Sequence, residues 1–398
     1  MKNLITLLFL GLFLHSCGNA DKRLDAGEIE DQKTVISEET PEEKPKESDY
    51  SIKLKTTSEK IQSALTKINS ENDLFEREAL EEFYSSRNYS PAWTDADDLN
   101  SFYRELKNAE KEGLSFTDYH GEKLEELTAG KKSLQGTEAA SLDIYLTDAF
   151  LAYARDLWTG KLDPRELHGL WGVSRKDQNF GQLLQDSVEN NEIASILEGL
   201  KPSHEVYSQL KKSLQEYKKL KKNEPIREKI SEGKLIKSGE KDKRLPLITK
   251  ILRDLGQLTV SENFNDSIYS EELQAAIKEF QKAKGLQVDG IIGNSTIAEL
   301  NVTHKQRYKQ ILANLERWRW YPRDLGDHYI LINIPDFKLA VVRNGVTVKE
   351  HNIMVGTRAR PTHVFTDTLQ YIVINPEWYI PPTIKTQEVI PMATKNPS

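Results

Sequence analysis

The sequence predicts a multidomain protein of the α+β class, because helical and strand patterns occupy separate parts of the chain. Residues 142–157 carry a long amphipathic stripe of helical period. A shorter helical stripe lies at residues 273–280, and from residue 329 onward apolar and polar side chains alternate as in strands. Helices followed by a run of strands are typical of α+β folds.

The composition limits the size and the class of the protein. A chain of 398 residues predicts two or three domains with ample length for a core. A net charge of -7 argues against a general nucleic-acid binder. The single cysteine, Cys17, allows no internal disulfide. After the first 17 residues no run of 18 apolar residues occurs, so we expect no membrane-spanning helix there.

Residues 1–17 resemble the signal peptide of a bacterial lipoprotein. Lys2 precedes an apolar run at residues 4–14, and the sequence Leu-His-Ser-Cys that ends at Cys17 fits a lipobox. In such lipoproteins Cys17 carries the lipid that holds the chain at a membrane. Gly18, where an aspartate would favour the inner membrane, indicates a periplasm-facing lipoprotein of the outer membrane. The alternative is an ordinary cleaved signal with an incidental cysteine.

The next two segments differ in their apolar content. Residues 18–51 are rich in Glu, Lys, Thr and Pro with few large apolar side chains, which predicts a disordered tether. Residues 56–240 predict a helical scaffold domain. Its aromatic side chains Trp93, Trp158 and Trp171 could line a glycan groove, although we favour buried packing. Acidic residues interleave its Lys-rich end, which favours a solvated helix face over nucleic-acid binding.

Residues 245–303 form a compact helical unit. Ser270 is placed as an N-cap, and Leu273, Ile277 and Phe280 form an apolar stripe. With the Asp289-Gly290 turn, this pattern resembles the three-helix peptidoglycan-binding domain of cell-wall enzymes. The resemblance implies contact with peptidoglycan, and a purely architectural role is the alternative.

Residues 304–325 predict a connecting helix, and residues 326–398 predict a mainly β domain. Strand patterns occupy residues 329–334, 338–342, 346–355 and 369–375. Asn344-Gly345 between two of them is the signature of a type I′ hairpin.

The sequence around these strands is similar to the YcbB-like branch of the L,D-transpeptidases. The segments that carry this resemblance are 314–320 (NLERWRW), 329–335 (YILINIP), 355–356 (VG), 360–362 (RPT) and 375–382 (NPEWYIPP). The resemblance implies a helical scaffold, a peptidoglycan-binding-like domain and the first part of a YkuD-type catalytic domain.

The family reaction implied by this resemblance needs a cysteine. A thiolate attacks the third residue of a tetrapeptide stem, expels D-alanine, and passes the acyl group to a neighbouring stem as a 3-3 cross-link. The His-Gly-Cys type of motif that supplies this thiolate lies downstream of the Trp-Pro segment, so we expect no catalytic residue within this chain. Two hypotheses remain open: an enzyme of which this is a fragment, and a non-catalytic wall-binding or scaffolding lipoprotein. The DNA downstream of Ser398 would separate them.

The resemblance also implies partners and candidate substrate contacts. The partners are peptidoglycan stem peptides and glycan, together with a membrane through the N-terminal lipid; no cofactor, metal or nucleic acid is expected. The candidate substrate-binding residues are Asn375, Trp378 and Tyr379 near the approach to the active site, and Arg360, which suits a carboxylate. No His-x-x-x-His pair or Gly-x-Ser-x-Gly elbow occurs, and three Ser-x-x-Lys matches lie in a Lys-rich segment where chance explains them.

Overall fold

The computed structural model of the protein describes residues 5–10, 52–71, 74–174, 177–222, 224, 228–259, 264–377 and 379–395. It confirms the α+β class, since helices dominate residues 58–319 and a sheet is built mainly from residues 328–369. In these ranges no helix is both long and apolar enough to cross a bilayer. Cys17 and Trp378 lie outside the described residues.

The first unit is a set of helices with a few short strands. The strands β2 (Lys53–Lys55) and β3 (Ser133–Gln135) pair with each other, while β1 (Ile5–Leu10) and β4 (Trp171–Gly172) belong to the sheet described below. The helices are α1 (Ser58–Glu71), α2 (Arg77–Ser86), α3 (Ala96–Lys107), α4 (Gly121–Thr128), α5 (Gly136–Thr159), α6 (Pro164–Leu167), α7 (Phe180–Asn190), α8 (Ile193–Leu200) and α9 (Glu205–Leu220). Short 3₁₀ turns occupy Ala109–Glu112 and Phe116–Asp118.

Helix α5 is the centre of this unit. Between residues 139 and 157 every side chain except Ser141 and Arg155 is buried. A helix that is buried around its whole circumference must lie inside the domain, and α1, α2, α4, α7 and α8 pack around it.

The buried carboxylate of Asp143 shows how α5 tolerates charge in this core. It accepts hydrogen bonds from the Tyr84 hydroxyl at 2.6 Å and from the backbone amides of Ala92 and Trp93 at about 3.0 Å. Burial raises the pKa of Asp143, although these donors act in the opposite direction. Trp93 is itself only 1% exposed and stacks on Phe102, so the packing role expected for this tryptophan is confirmed.

A second helical unit has its own apolar core. Its helices are α10 (Leu245–Asp254), α11 (Glu271–Ala283) and α12 (Asn294–Leu300). Ser270 caps α11 as predicted, since its side chain accepts a hydrogen bond from the Leu273 amide. The predicted stripe of Leu273, Ile277 and Phe280 is buried in this core.

The chain then returns to the first unit and enters the sheet. Helix α13 (His304–Arg319) begins with a capping box and packs along α9. The strands that follow are β5 (His328–Asn333), β6 (Lys338–Arg343), β7 (Val346–Asn352) and β8 (Val364–Leu369). A last helical segment consists of α14 (Pro382–Ile384), a π-helical turn (Lys385–Val389) and α15 (Ile390–Lys395).

The sheet has the order β4-β8-β1-β5-β6-β7. Strands β5, β6 and β7 form an antiparallel meander, and β1 lies parallel to β5 and antiparallel to β8. The β6–β7 hairpin is confirmed at Asn344-Gly345, where both φ angles are positive at 48° and 76°, as a type I′ turn requires. Strand β1 lies within the predicted signal peptide, which stays a prediction.

Candidate functional site

Arg360 lies in an exposed turn between β7 and β8. Its backbone N–H donates to the Thr357 carbonyl at 3.1 Å, and the Gly356 N–H donates to the Thr362 hydroxyl at 2.7 Å, so two hydrogen bonds close the loop. A Cβ on Gly356 would lie 2.1 Å from the Arg360 carbonyl oxygen, which leaves room for glycine only. The Arg360 guanidinium extends from this turn and forms an ion pair with Glu388.

Asn375 and Tyr379 lie in the irregular segment that follows β8. Tyr379 is 86% exposed, and Asn375 is exposed with a left-handed backbone at a φ of 52°. Asparagine is one of the few residues with a side chain that adopts this conformation readily. Both side chains are accessible to a ligand, but their contact with substrate stays a prediction.

The segment before Asn375 departs from the sequence-based expectation. The sequence predicts a strand over residues 369–375, yet β8 ends at Leu369 and residues 370–377 pair with no described strand. This prediction was wrong because a strand needs a backbone partner as well as β-prone residues. The exposed side chains here are Tyr371, Ile372, Val373 and Ile374, with exposed fractions between 60 and 84%.

Helix α13 is fixed to the helical unit by Arg319, which is 2% exposed. Its Nη2 donates to the Glu112 carbonyl and, at 3.1 Å, to the Tyr207 hydroxyl, while Nη1 donates to Glu316 at 3.1 Å. A buried guanidinium is tolerated when its N–H groups find oxygen acceptors. The RWRW part of the resemblance is therefore a packing element in this structure.

The acceptors around Arg319 belong to a buried charge cluster. The Glu112 carboxylate accepts from the Tyr207 hydroxyl at 2.9 Å, and it lies 2.5 Å from Lys211 Nζ and 3.3 Å from Lys201 Nζ. Burial alone would raise the pKa of Glu112, but the two ammonium groups and Tyr207 bring it below its ordinary value. This charged cluster holds α9, α13 and the 3₁₀ turn at Ala109–Glu112 together.

In the second helical unit, the loop between α11 and α12 is organised by Gln281. Its Nε2 donates to Asp289 Oδ1 and the Ile291 carbonyl, both at 3.0 Å, while its Oε1 accepts from the Gly290 N–H at 2.8 Å. Because Gln281 is 2% exposed, its role is to shape the loop. Any ligand contact must come from more exposed groups in this unit.

The structure brings together residues that sequence reasoning did not connect. Glu388 as the partner of Arg360 was missed, because 28 positions separate them and many carboxylates in an acidic chain are equivalent candidates. Arg323, half-buried beside Trp158, was also missed. Among the described residues no group of three or more His, Cys, Asp or Glu side chains is arranged to hold a metal ion.

Comparison with known proteins gives three matches to family models. Residues 78–214 match a "Scaffold domain", residues 243–300 match a "Putative peptidoglycan binding domain", and residues 327–398 match an "L,D-transpeptidase catalytic domain". A Haemophilus influenzae protein named "Putative L,D-transpeptidase" is 32% identical over 103 residues. That alignment covers 26% of this chain and 20% of the relative.

Proposed function

We propose that this chain comes from a protein of the L,D-transpeptidase family, which acts in the cell envelope and forms 3-3 peptidoglycan cross-links. The observation that carries this proposal is the match of residues 327–398 to the catalytic domain, over strands β5 to β8. The peptidoglycan-binding match at residues 243–300 supports a cell-wall substrate.

The proposed reaction proceeds through a cysteine thioester. The thiolate attacks the carbonyl carbon of the third stem residue, the C–N bond to D-alanine breaks, and D-alanine leaves with a proton on its nitrogen. The side-chain amine of a second stem then attacks the thioester, which releases the thiolate and forms the new amide. A thiolate suits this step because it forms more readily near neutral pH than an alkoxide.

Residues 1–398 contain one cysteine, and we assign it to lipid attachment rather than to catalysis. We therefore propose that these residues by themselves form no cross-link. Lipid attachment at Cys17 would hold the protein at the periplasmic side of the outer membrane. Cys17→Ser should move the protein from the membrane fraction to the soluble fraction and remove the acyl mass, and unchanged fractionation would contradict the anchor.

For substrate binding we propose Asn375, Trp378 and Tyr379 along the approach, and Arg360 at a stem-peptide carboxylate. The Arg360–Glu388 ion pair is exposed, so an incoming carboxylate can replace Glu388 at little energetic cost. Arg360→Gln should raise KM several-fold with kcat nearly unchanged in the native enzyme. Arg358→Gln, another exposed arginine of the same turn, is the matched control.

A second candidate function is a non-catalytic wall-binding or scaffolding lipoprotein. Two observations favour it: the peptidoglycan-binding match, and a single cysteine placed in a lipobox-like sequence. Under this alternative the protein co-sediments with sacculi and changes no muropeptide.

The test compares the protein isolated from its own cells with residues 1–398 produced alone. Each is incubated with tetrapeptide-rich sacculi, and muropeptides are separated and identified by mass. We expect 3-3 dimers from the native protein, their loss after thiol alkylation, and none from residues 1–398. Dimers that persist after alkylation would contradict cysteine chemistry, and a native protein that only co-sediments would favour the second candidate.

A further inference from the structure

A cleft of about 620 Å³ lies at the C-terminal end of α5, outside the segment that carries the predicted substrate residues. Its walls include Trp158 and Thr159 of α5, the strand β4 residue Trp171, and Phe180 at the start of α7. A second cavity of about 70 Å³ shares Trp158, Thr159 and Ser174 with it and is closed by residues 319–323. The combined cleft thus lies where the scaffold meets the segment that leads to the sheet.

The aromatic walls of this cleft are fixed in position. Trp171 packs edge-on against Trp320 with ring centroids 5.5 Å apart, and against Tyr321 at 5.4 Å. Trp320 and Tyr321 are buried, whereas Trp158 and Trp171 are each half-buried and line the larger cavity. Half-exposed tryptophan rings that their neighbours hold rigid offer apolar faces on which a flat or ring-shaped ligand can stack.

Arg323 places a positive charge at one end of the cleft. Its Nη2 donates to the Leu157 carbonyl at 2.6 Å and to the Trp158 carbonyl at 2.5 Å, and its guanidinium carbon lies 4.9 Å from the Trp158 ring centroid. Its Nε and Nη1 are buried without a hydrogen-bond partner, and Arg323 forms no ion pair within the described residues. Burial, together with the charge of Arg319, lowers the pKa of Arg323 to about 10, so it remains a cation at neutral pH.

The other three arginines of the cleft differ from Arg323 because each already has a carboxylate partner; Arg319 of the smaller cavity pairs with Glu316 at 3.1 Å. Arg155 pairs with Glu76 and Asp156, and Arg165 pairs with Asp163 at 2.8 Å. Asp177 lines the larger cavity but not the smaller one. An anionic group is therefore favoured at the Arg323 end, and uncharged hydroxyl or amide groups are favoured in the wider part.

We propose that this cleft is a second peptidoglycan subsite, in which a sugar ring stacks on Trp158 or Trp171 and a free stem-peptide carboxylate pairs with Arg323. The choice of a glycopeptide rests on the proposed function, whereas the stacking surface and the unpaired guanidinium are features of the fold. Such a site would hold a wall strand on the scaffold while residues 327–398 engage another stem. The ligand must contain both a sugar ring and a carboxylate, because the tryptophan rings line one cavity and Arg323 lines the adjoining one.

The test uses residues 1–398 labelled with 5-fluorotryptophan, because the six tryptophans of this segment report on separate regions. Trp158 and Trp171 report on the cleft and Trp378 on the predicted substrate approach, while residues 245–303 contain no tryptophan. The probes are a disaccharide tetrapeptide, the free tetrapeptide, and chitotetraose, which has no carboxylate. Tryptophan-to-phenylalanine variants assign the fluorine resonances.

We expect the disaccharide tetrapeptide to shift the Trp158 and Trp171 resonances, and to bind more tightly than either partial ligand. Arg323→Gln should weaken its binding about tenfold or more, since a charge-assisted hydrogen bond is lost, and should leave chitotetraose binding unchanged. Arg165→Gln, in the wall of the larger cavity and already paired with Asp163, should change the affinity less than about twofold.

Two results would overturn the subsite. If only the Trp378 resonance shifts at saturating ligand, the proposed function stands and the cleft is not a subsite. If Arg323→Gln and Arg165→Gln weaken binding equally, the unpaired guanidinium does not recognise the carboxylate. Failure of the proposed function is different, since it would appear as absence of cross-links from the native protein while the fluorine shifts at the cleft remain.

Discussion

Helix α5 buries most of its side chains, whereas the β-meander β5–β7 leaves most of its side chains partly or fully exposed. In α5 the carboxylates of Asp143, Asp148 and Asp156 are buried. Asp148 accepts hydrogen bonds from the Phe75 and Glu76 amides at 2.9 Å and lies 2.6 Å from His120 Nε2. In β7 every side chain is exposed, and β5 and β6 bury few of theirs. Stability is therefore concentrated around α5, while the sheet leaves its groups accessible.

The largest effect that tests this contrast is expected at the α5 carboxylate Asp143. Asp143→Ala removes the acceptor of the buried Tyr84 hydroxyl and of the Ala92 and Trp93 amides. Because unsatisfied buried donors are costly, we expect the free energy of unfolding to fall by about 3–5 kcal/mol. This free energy is measured by urea denaturation, with the unfolding monitored by circular dichroism. Asp186→Ala, at an exposed position of α7, is the control and should stay within about 0.5 kcal/mol.

A second test concerns the junction between α5 and α13 at Gly160. Its φ is 80°, and an added Cβ would lie 2.6 Å from Glu316 Oε1 and from Trp320 Nε1. Gly160→Ala combines backbone strain with displacement of the α13 end, so we expect a loss of about 2–3 kcal/mol in stability.

Gly130→Ala is the matched control for the junction. Gly130 has a φ of 67° and no atom within 4 Å of an added Cβ, so only the backbone strain of about 1 kcal/mol remains. If Gly160→Ala and Gly130→Ala lower the free energy of unfolding equally, the close approach of α13 to Gly160 adds nothing to the cost of the Gly160 substitution.

A third test uses the pH dependence of Asp98 in α3, which is 5% exposed. Burial and the charges of Asp95 and Asp97 raise its pKa to about 6. The folded state then binds a proton more tightly than the unfolded state, so stability falls as pH rises from about 4 to about 6. Asp98→Asn should stabilise the protein by about 1–2 kcal/mol at pH 8 and much less at pH 4. A gain in Tm that is equal at both pH values would contradict the assignment.

The smallest effect is expected in the sheet. Val348 in β7 is 48% exposed, so Val348→Thr should change the free energy of unfolding by less than about 0.5 kcal/mol. Ile332 in β5 is 6% exposed, and Ile332→Thr should lose about 2 kcal/mol. If the Val348 variant loses as much as the Ile332 variant, β7 is covered in solution and the contrast with α5 is wrong.

The sequence by itself determined the features that depend on local periodicity and turn chemistry. The period of residues 142–157 predicted α5, Ser270 predicted the start of α11, and Asn344-Gly345 predicted the β6–β7 hairpin, because each signal acts within a few residues. The family resemblance likewise depended on short segments, and the matches to known proteins confirmed it.

Only the tertiary structure decided which side chains meet. Arg360 meets Glu388, and Arg319 meets Glu112 at a sequence separation of 207 residues. The sequence also showed no sign that Nε and Nη1 of Arg323 would be buried without a hydrogen-bond partner. Propensity alone also misplaced a strand at residues 369–375, where β-prone residues lie without a partner. Side-chain pairs and strand pairs join residues that are far apart in the sequence. A local sequence pattern does not specify which of many similar residues will be close in space.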